Sequence, residues 1–335
     1  MGVKLSALVP KKHITWENLS GKILAVDSSN MLFQFLTSIR QRDGTLLMDS
    51  QHQVTSHLVG IASRVSNLVS KGIKPCFVFD GKSPELKIQE RERRKKIKIK
   101  AQEKYQEAVE EEDVESMFKY SRMTAKLTKD MVEEAKKLLH AMGLPVIQAP
   151  SEAEAQASYM CRKKKVWAVA SSDYDCLLFH SPRMITNLTL SQKKKSFGLY
   201  GKDLEIIELS EVLNNLGVDH DQLLILGILV GTDFNPGGVK GIGPKKALAL
   251  VQSDKDFQTI FEELNVKFDW KQIFDLLKNM KVIDDYNLDF KEPDENKIKE
   301  LLIEKHDFSE SRVDSMLKNF NKGKDKAQTG LNKWF

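Results

Sequence analysis

The sequence predicts an α/β fold: a central, mostly parallel, twisted sheet flanked by helices on both faces. Three observations carry this expectation. Four short apolar runs are separated by helix-patterned stretches, the alternation of a doubly wound sheet. Each run leads into an acidic residue, which suits strands whose carboxyl ends share one edge. The chain has 335 residues, 41% of them hydrophobic, which is enough for one large or two ordinary domains with a real core.

The first predicted strand is residues 22–26 (KILAV), ending on Asp27, and a helical pattern follows through Met31, Leu32, Phe35 and Leu36. A second helix is expected over residues 57–69, where Leu58, Ile61, Val65, Leu68 and Val69 share one side, and Gly72 stops it. Residues 73–79 form the second strand and lead to Asp80 and Gly81. Residues 145–148 form the third and lead to Glu152. Residues 166–170, small and apolar throughout, read as a fully buried fourth strand leading to Asp173.

The acids come in two short pairs, Glu152 with Glu154 and Asp173 with Asp175. Either pair alone is compatible with an ordinary solvated turn. Delivered by separate strands to one rim, they become a cluster. Asp173 and Asp175 share a side if the chain stays extended beyond its strand. Residues two apart on a helix do not face each other, so Glu152 is expected at or before the helix start, with Ser151 as N-cap.

Residues 82–135 interrupt the alternation. Between Lys82 and Lys104 there are ten Lys or Arg and four acids, whereas Glu107–Glu115 holds six acids and no base. Charge runs are usually solvated helices. This one leaves the sheet directly after Asp80, so its basic half begins beside the acidic rim. It reads as a helical arch or clamp that grips phosphates.

Past the sheet, a strongly apolar stretch ends in GTDF, adding Asp233 to the acids. Gly241-Ile242-Gly243 then precedes a helix, with Lys240, Lys245 and Lys246 around it. No strand precedes this segment, which argues against a dinucleotide site. Backbone N–H groups at a helix start suit phosphate, so residues 220–260 read as a helical hairpin that holds a duplex backbone without reading sequence. Helices are expected to about Phe320. Residues 321–335 read as a flexible tail, with the polar stretch NKGKDKAQ as tether. At its end Leu331, Trp334 and Phe335 stand at i, i+3 and i+4, so one helical turn would point all three into a partner's pocket.

Other features narrow the class. Three cysteines form no paired metal-ligand spacing and fit a reducing interior. No apolar run approaches membrane-spanning length. Met1-Gly2 with Ser6 fits the short myristoylation pattern, but nothing else points to a membrane. A net charge of +5 does not by itself identify a partner.

Up to seven carboxylates on one rim, Asp233 being the seventh, repel one another unless cations neutralise them. No His or Cys accompanies them, so the ligands are hard oxygens, favouring Mg²⁺ or Mn²⁺ over zinc. Acids flanked by basic segments suit a phosphodiester bridged through metal, with two ions roughly 3.5–4 Å apart.

The residues VD at 26–27 with Met31, Phe33 and Phe35, then PCFVFDGKSPELK, APSEAEAQ, SSDYDCLLF and GTDFNPGGVKGIGPKKA, resemble in order the flap endonuclease family of structure-specific 5′ nucleases. The resemblance spans nearly the whole chain. It implies a PIN-like 5′-nuclease fold in one domain, residues 1–320. It implies Mg²⁺-dependent cleavage of 5′-flap DNA at the junction of single and double strand, with 5′–3′ exonuclease activity, in lagging-strand maturation and long-patch base excision repair. The family's metal ligands fall on Asp27, Asp80, Glu152, Glu154, Asp173, Asp175 and Asp233. Its basic catalytic residues fall on Lys87 and Arg94. Its stacking aromatic falls on Phe33, where Tyr is common, and Gly2 matches an N-terminal glycine near the site. Gly241 and Gly243, with Lys240, Lys245 and Lys246, match the helix–two-turn–helix that binds duplex and often K⁺. Residues 328–335 match a sliding-clamp motif of the PCNA-binding kind, with Gln328 as polar anchor and Leu331, Trp334 and Phe335 as plug. The resemblance further implies a monomer acting on flap, nicked and branched DNA. It implies a cytoplasmic, nucleoid-associated place in an archaeon or a nuclear one in a eukaryote. Eukaryotic relatives continue past the clamp motif, so a stop at Phe335 is expected of an archaeal member. Alternatives are another 5′ nuclease of the same superfamily, or a non-catalytic clamp-tethered junction binder that leaves the acids without a purpose.

Overall fold

The computed structural model describes residues 3, 5–190, 203–253 and 255–331, with residues 322–331 described as backbone only. Its centre is a seven-stranded sheet: β1 (Lys12–His13), β2 (Ile23–Asp27), β3 (Lys74–Phe79), β4 (Val146–Gln148), β5 (Ala168–Ala170), β6 (Arg183–Thr186) and β7 (Glu205–Glu208). The order is β1-β7-β6-β5-β2-β3-β4. The run β6-β5-β2-β3-β4 is parallel, and β7 and β1 extend it antiparallel. The four apolar runs of the sequence are the four strands β2, β3, β4 and β5. The other three strands escaped prediction because KH, RMIT and EIIE are bounded by charged or polar residues and form no continuous apolar run.

Side-chain alternation explains why helices cover both faces. On β2, Ala25 joins one apolar cluster while Leu24 and Val26 join the other. On β3, Cys76 and Val78 face one way and Phe77 and Phe79 the other. The first face is covered by the helices Ala153–Arg162 and His220–Val230. The second is covered by Ser28–Ser38, Lys129–Ala141 and the helical stretch beginning at Ser56. That stretch contains a π turn at Ile61–Val65 and ends at Ser70.

Register brings the strand ends level. Asp27 lies opposite Val78 of β3, and Val26 lies opposite Ala170 of β5. The chain therefore leaves three neighbouring strands at nearly the same height, and the next residues of each meet above the sheet.

The charged insertion forms two helices packed on each other. Ile88–Glu110 follows a 3₁₀ turn at Glu85–Lys87, and Val114–Met123 returns, N-capped by Asp113. The next helix, Lys129–Ala141, buries Ala135, Leu138 and Leu139 in the core. The insertion thus ends before Lys129 and not at residue 135, because the amphipathic pattern resumes there. The last helix runs Glu310–Leu331, past the end expected near Phe320. Val313, Met316, Leu317 and Phe320 anchor its first half in the core. Among the described residues, no helix is long and apolar enough to cross a membrane.

Candidate metal centre

The carboxyl ends of β2, β3 and β5 deliver Asp27, Asp80 and Asp173 to one place. Asp27 is the last residue of β2 and also caps the following helix, accepting the Asn30 N–H at 3.0 Å on Oδ1. Its Oδ2 accepts the Ser171 hydroxyl at 2.9 Å, a bond across to the end of β5. Burial, then the charge of Asp80, pushes its carboxyl up to about 7.

Asp80 reaches over to the helix Ala153–Arg162 and accepts the Ala153 N–H at 2.8 Å. Glu152, not Ser151, is the N-cap residue of that helix, and its side chain does not cap. A remote acid supplies the missing acceptor, so Ser151 donates instead to the Lys82 carbonyl at 3.3 Å. Oxygens of Asp80, Glu152 and Glu154 lie within 4.8 Å of one another. Burial raises both glutamates, Glu154 well above its ordinary range, and Asp27 and Asp80 push Glu154 further.

The second pair departs from the expected geometry. The chain does not stay extended after β5: Asp175 opens a short helix, Asp175–Leu178, and its N–H donates to Asp173 Oδ1 at 3.1 Å. Asp175 Oδ1 accepts the Val3 N–H at 2.8 Å, which pins the start of the chain to the site. Burial and the charges of Asp173 and Asp233 raise its carboxyl well above normal. Asp233 follows the helix His220–Val230 and is buried.

The cations facing these acids belong to the protein itself. Lys87 bonds Glu152 and stands 3.3 Å from Asp233. Burial alone would lower its ammonium, but the carboxylates of Glu152, Glu154 and Asp233 more than offset that and raise it. Arg94 places Nη2 at 2.9 Å from both oxygens of Asp233. A cavity of about 710 Å³ opens between these side chains, the acids Asp80 and Glu152, and Phe33. Phe33 is 38% exposed, and the Lys98 ammonium lies over its ring at 5.5 Å. Lys98 and Glu90 are the site residues that sequence reasoning missed. Both sit in a charged run that looked uniformly solvated; only the i,i+4 spacing of Glu90 and Arg94 hinted at a pair.

Away from the acids, Gly241-Ile242-Gly243 turns into the helix Pro244–Val251 with Gly243 as its N-cap. Gly241 has φ +81°, and a Cβ on either glycine would meet nothing within 4 Å. The turn is thus open to an incoming backbone, with Lys240, Lys245 and Lys246 exposed around it. Gly2, Trp334 and Phe335 lie outside the described residues. Gln328 and Leu331 fall on the backbone of the last helix, and their side chains are outside the description.

The chain is similar to known proteins. The XPG N-terminal domain family matches residues 1–101, and the XPG I-region family matches residues 143–233. The chain is 48% identical to flap endonuclease 1 of Staphylothermus marinus, over 100% of both chains. It is 47% identical to that of Thermococcus onnurineus, over 100% of this chain and 99% of the relative. Among solved structures it resembles the flap endonuclease-1 of Methanococcus jannaschii, with TM-score 0.78 and 41% identity, over 97% of this chain and 100% of that one. The fold also matches the catalytic core of Rad2 solved with a DNA substrate, at TM-score 0.67 and 22% identity, over 92% of this chain and 96% of that one.

Proposed function

The chain belongs to the flap endonuclease family, and from that premise we propose how its own residues carry out 5′-flap cleavage. The protein is a nuclease, a phosphodiester hydrolase acting on DNA in replication and repair. The observation that carries the residue assignment is the meeting of the acidic cluster with Lys87 and Arg94 across one open cavity.

The donor set fits hard divalent cations. Every candidate ligand is a carboxylate, three of them converge within 4.8 Å, and burial together with the neighbouring acids makes several resist ionisation. Asp27, Asp80, Glu152, Glu154, Asp173, Asp175 and Asp233 would hold two Mg²⁺ ions, with Mn²⁺ as substitute. Bound there, the ions would supply charge neutralisation, an activated water and a stabilised leaving oxygen.

Lys87 and Arg94 now sit on carboxylates, which a phosphodiester can replace with its own oxygens. Arg94 offers a planar fork suited to two of them, and Lys87 a point charge. Both would stabilise charge that grows on the scissile phosphate. Phe33 offers a ring face to a nucleobase at the cavity mouth; lacking the hydroxyl of Tyr, it stacks without a polar anchor. Lys240, Gly241, Gly243, Lys245 and Lys246 would grip the duplex backbone, with K⁺ at the turn, and Gly2 would sit near the site. The tail, through Gln328, Leu331, Trp334 and Phe335, would dock on a PCNA-type sliding clamp; sequence spacing supports this. The enzyme would act as a monomer.

Product mapping on an end-labelled 5′ flap tests the whole reading. Cutting at the strand junction is expected with Mg²⁺ and none with EDTA. Cutting in EDTA, or a ladder with no junction product, contradicts it.

A further inference from the structure

The helix Ile88–Glu110 is almost wholly solvated, and only Glu90, Ala101 and Ala108 are buried along it. Two of these are alanines, which bury no polar group. The third is a carboxylate, 2% exposed, on the wall of the 710 Å³ cavity. A buried carboxylate persists only when its oxygens are occupied.

Both oxygens are. Oε2 accepts Arg93 Nε at 2.6 Å. Oε1 accepts Arg93 Nη2 at 2.8 Å and Arg94 Nε at 2.6 Å. Burial works against ionisation, but the bonds from Arg93 and Arg94 hold the carboxyl below its ordinary range.

These contacts share the Arg94 guanidinium between two carboxylates. The Nε edge is fixed on Glu90, one helical turn earlier on the same face. The neighbouring Nη2 group reaches Asp233 at 2.9 Å. A guanidinium is planar, so fixing one edge sets the direction of the rest. We propose that Glu90 is a positioning residue for flap cleavage: its buried carboxylate, anchored by Arg93, aims the Arg94 guanidinium at the metal-binding rim where the scissile phosphate is taken. The inference rests on the reading of Arg94 as a phosphate contact, and extends it to a residue outside the acidic rim.

The alternative is that Glu90 merely neutralises two arginines. The two roles differ in kinetics. A neutralising residue changes the affinity of a basic arm for DNA; a positioning residue changes the rate of the bound complex and acts only while Arg94 is present.

The test compares the full-length enzyme with Glu90→Gln, Glu90→Asp, Arg94→Ala and the Glu90→Gln/Arg94→Ala double variant. Single-turnover rates are measured on a 5′ flap at saturation with Mg²⁺, and flap dissociation constants without Mg²⁺. Glu90→Gln is expected to slow the bound complex roughly ten- to a hundredfold, the range for a misplaced catalytic group, with flap affinity within about twofold. Glu90→Asp, which keeps the charge on a shorter arm, recovers part of that rate. The double variant is no slower than Arg94→Ala alone. A normal rate in Glu90→Gln beside a slow Arg94→Ala overturns the positioning role and leaves Arg94 in place. So does an equal slowing by Glu90→Gln in the Arg94→Ala background, or a loss seen only in affinity. A normal rate in Arg94→Ala removes Arg94 from the chemistry, and the positioning role with it.

Discussion

Lys87 should stabilise the metal-free protein and at the same time oppose metal binding. The informative substitution is Lys87→Met, which removes the charge while keeping most of the aliphatic stem in place. The side chain is only 17% exposed, so solvent screening is modest. Its ammonium stands 3.3 Å from Asp233. At an effective dielectric of 20, one such pair is worth about 5 kcal/mol gross. Removing one partner of a buried pair costs about 3–5 kcal/mol because the other charge is left alone. For a chain of 335 residues, an unfolding entropy of ~2.1 cal/mol/K per residue gives about 0.7 kcal/mol/K, so the expected loss in melting temperature is roughly 4–7 °C. The assay is thermal melting in EDTA at pH 8, beside Mg²⁺ titration by calorimetry without DNA. The variant should melt earlier in EDTA, bind Mg²⁺ more tightly than the parent, and cleave flaps far more slowly. At pH 5.5 the melting difference should shrink, because the raised carboxyls take up protons in place of the lost ammonium. Equal melting in EDTA together with unchanged Mg²⁺ affinity would refute the view of Lys87 as an internal counter-ion.

Other outcomes follow from the same structure. Asp27 is raised to about 7, and Glu152, Glu154 and Asp175 are raised as well; between the unfolded carboxyl pKa of about 4 and that value the folded state binds more protons than the unfolded one, so metal-free stability falls as pH rises through this window. Melting in EDTA from pH 5 to 8 should therefore decline, and a flat or rising curve would contradict the packing of the acids. Because Gly241 has φ +81°, Gly241→Ala should strain the open turn and weaken binding of duplex DNA without touching the acidic rim. Lys245→Ala with Lys246→Ala should reduce the slope of affinity against salt by about two; an unchanged slope would place the duplex elsewhere. Replacing Trp334 and Phe335 with Ala should abolish binding to the sliding clamp in a titration while nuclease activity stays normal, and retained clamp affinity would remove the plug.

The sheet centre was legible because parallel strands buried on both faces must be apolar throughout, as Ile23–Val26 and Ala168–Ala170 are. The edge was not: Glu205–Glu208 reads EIIE, and its pairing depends on the neighbour β6, not on a local pattern. The acids were legible from their places at strand ends. Their detailed geometry was not, because the decisive partners are remote. Ser151 fails to cap its helix because Asp80, 73 residues earlier than Ala153, accepts the N–H that needed a partner. Asp173 and Asp175 do not share an extended edge because the Asp173 side chain accepts the Asp175 N–H as the chain turns into a helix. The stretch after Phe320 looked like a tether because it is polar. Its Lys, Gln and Ala residues are nonetheless good helix formers, and no proline interrupts them. Glu90 was invisible for a simpler reason: a buried acid and a solvated one have the same letter.

The acidic rim and the basic arm are best understood as one electrostatic unit. Carboxylates this close cannot all ionise unattended, and the chain answers by folding Lys87 and Arg94 onto Glu152 and Asp233. Those same two groups are the ones a phosphate would need. Anything that neutralises the acids therefore releases Lys87 and Arg94, and anything that draws those two onto a phosphate uncovers acids that then favour a cation. Binding of metal and of flap would then assist each other to the same degree, since coupling between two sites is reciprocal. On that proposal the fold would restrain the site until both partners arrive, through ion pairs at the ends of parallel strands.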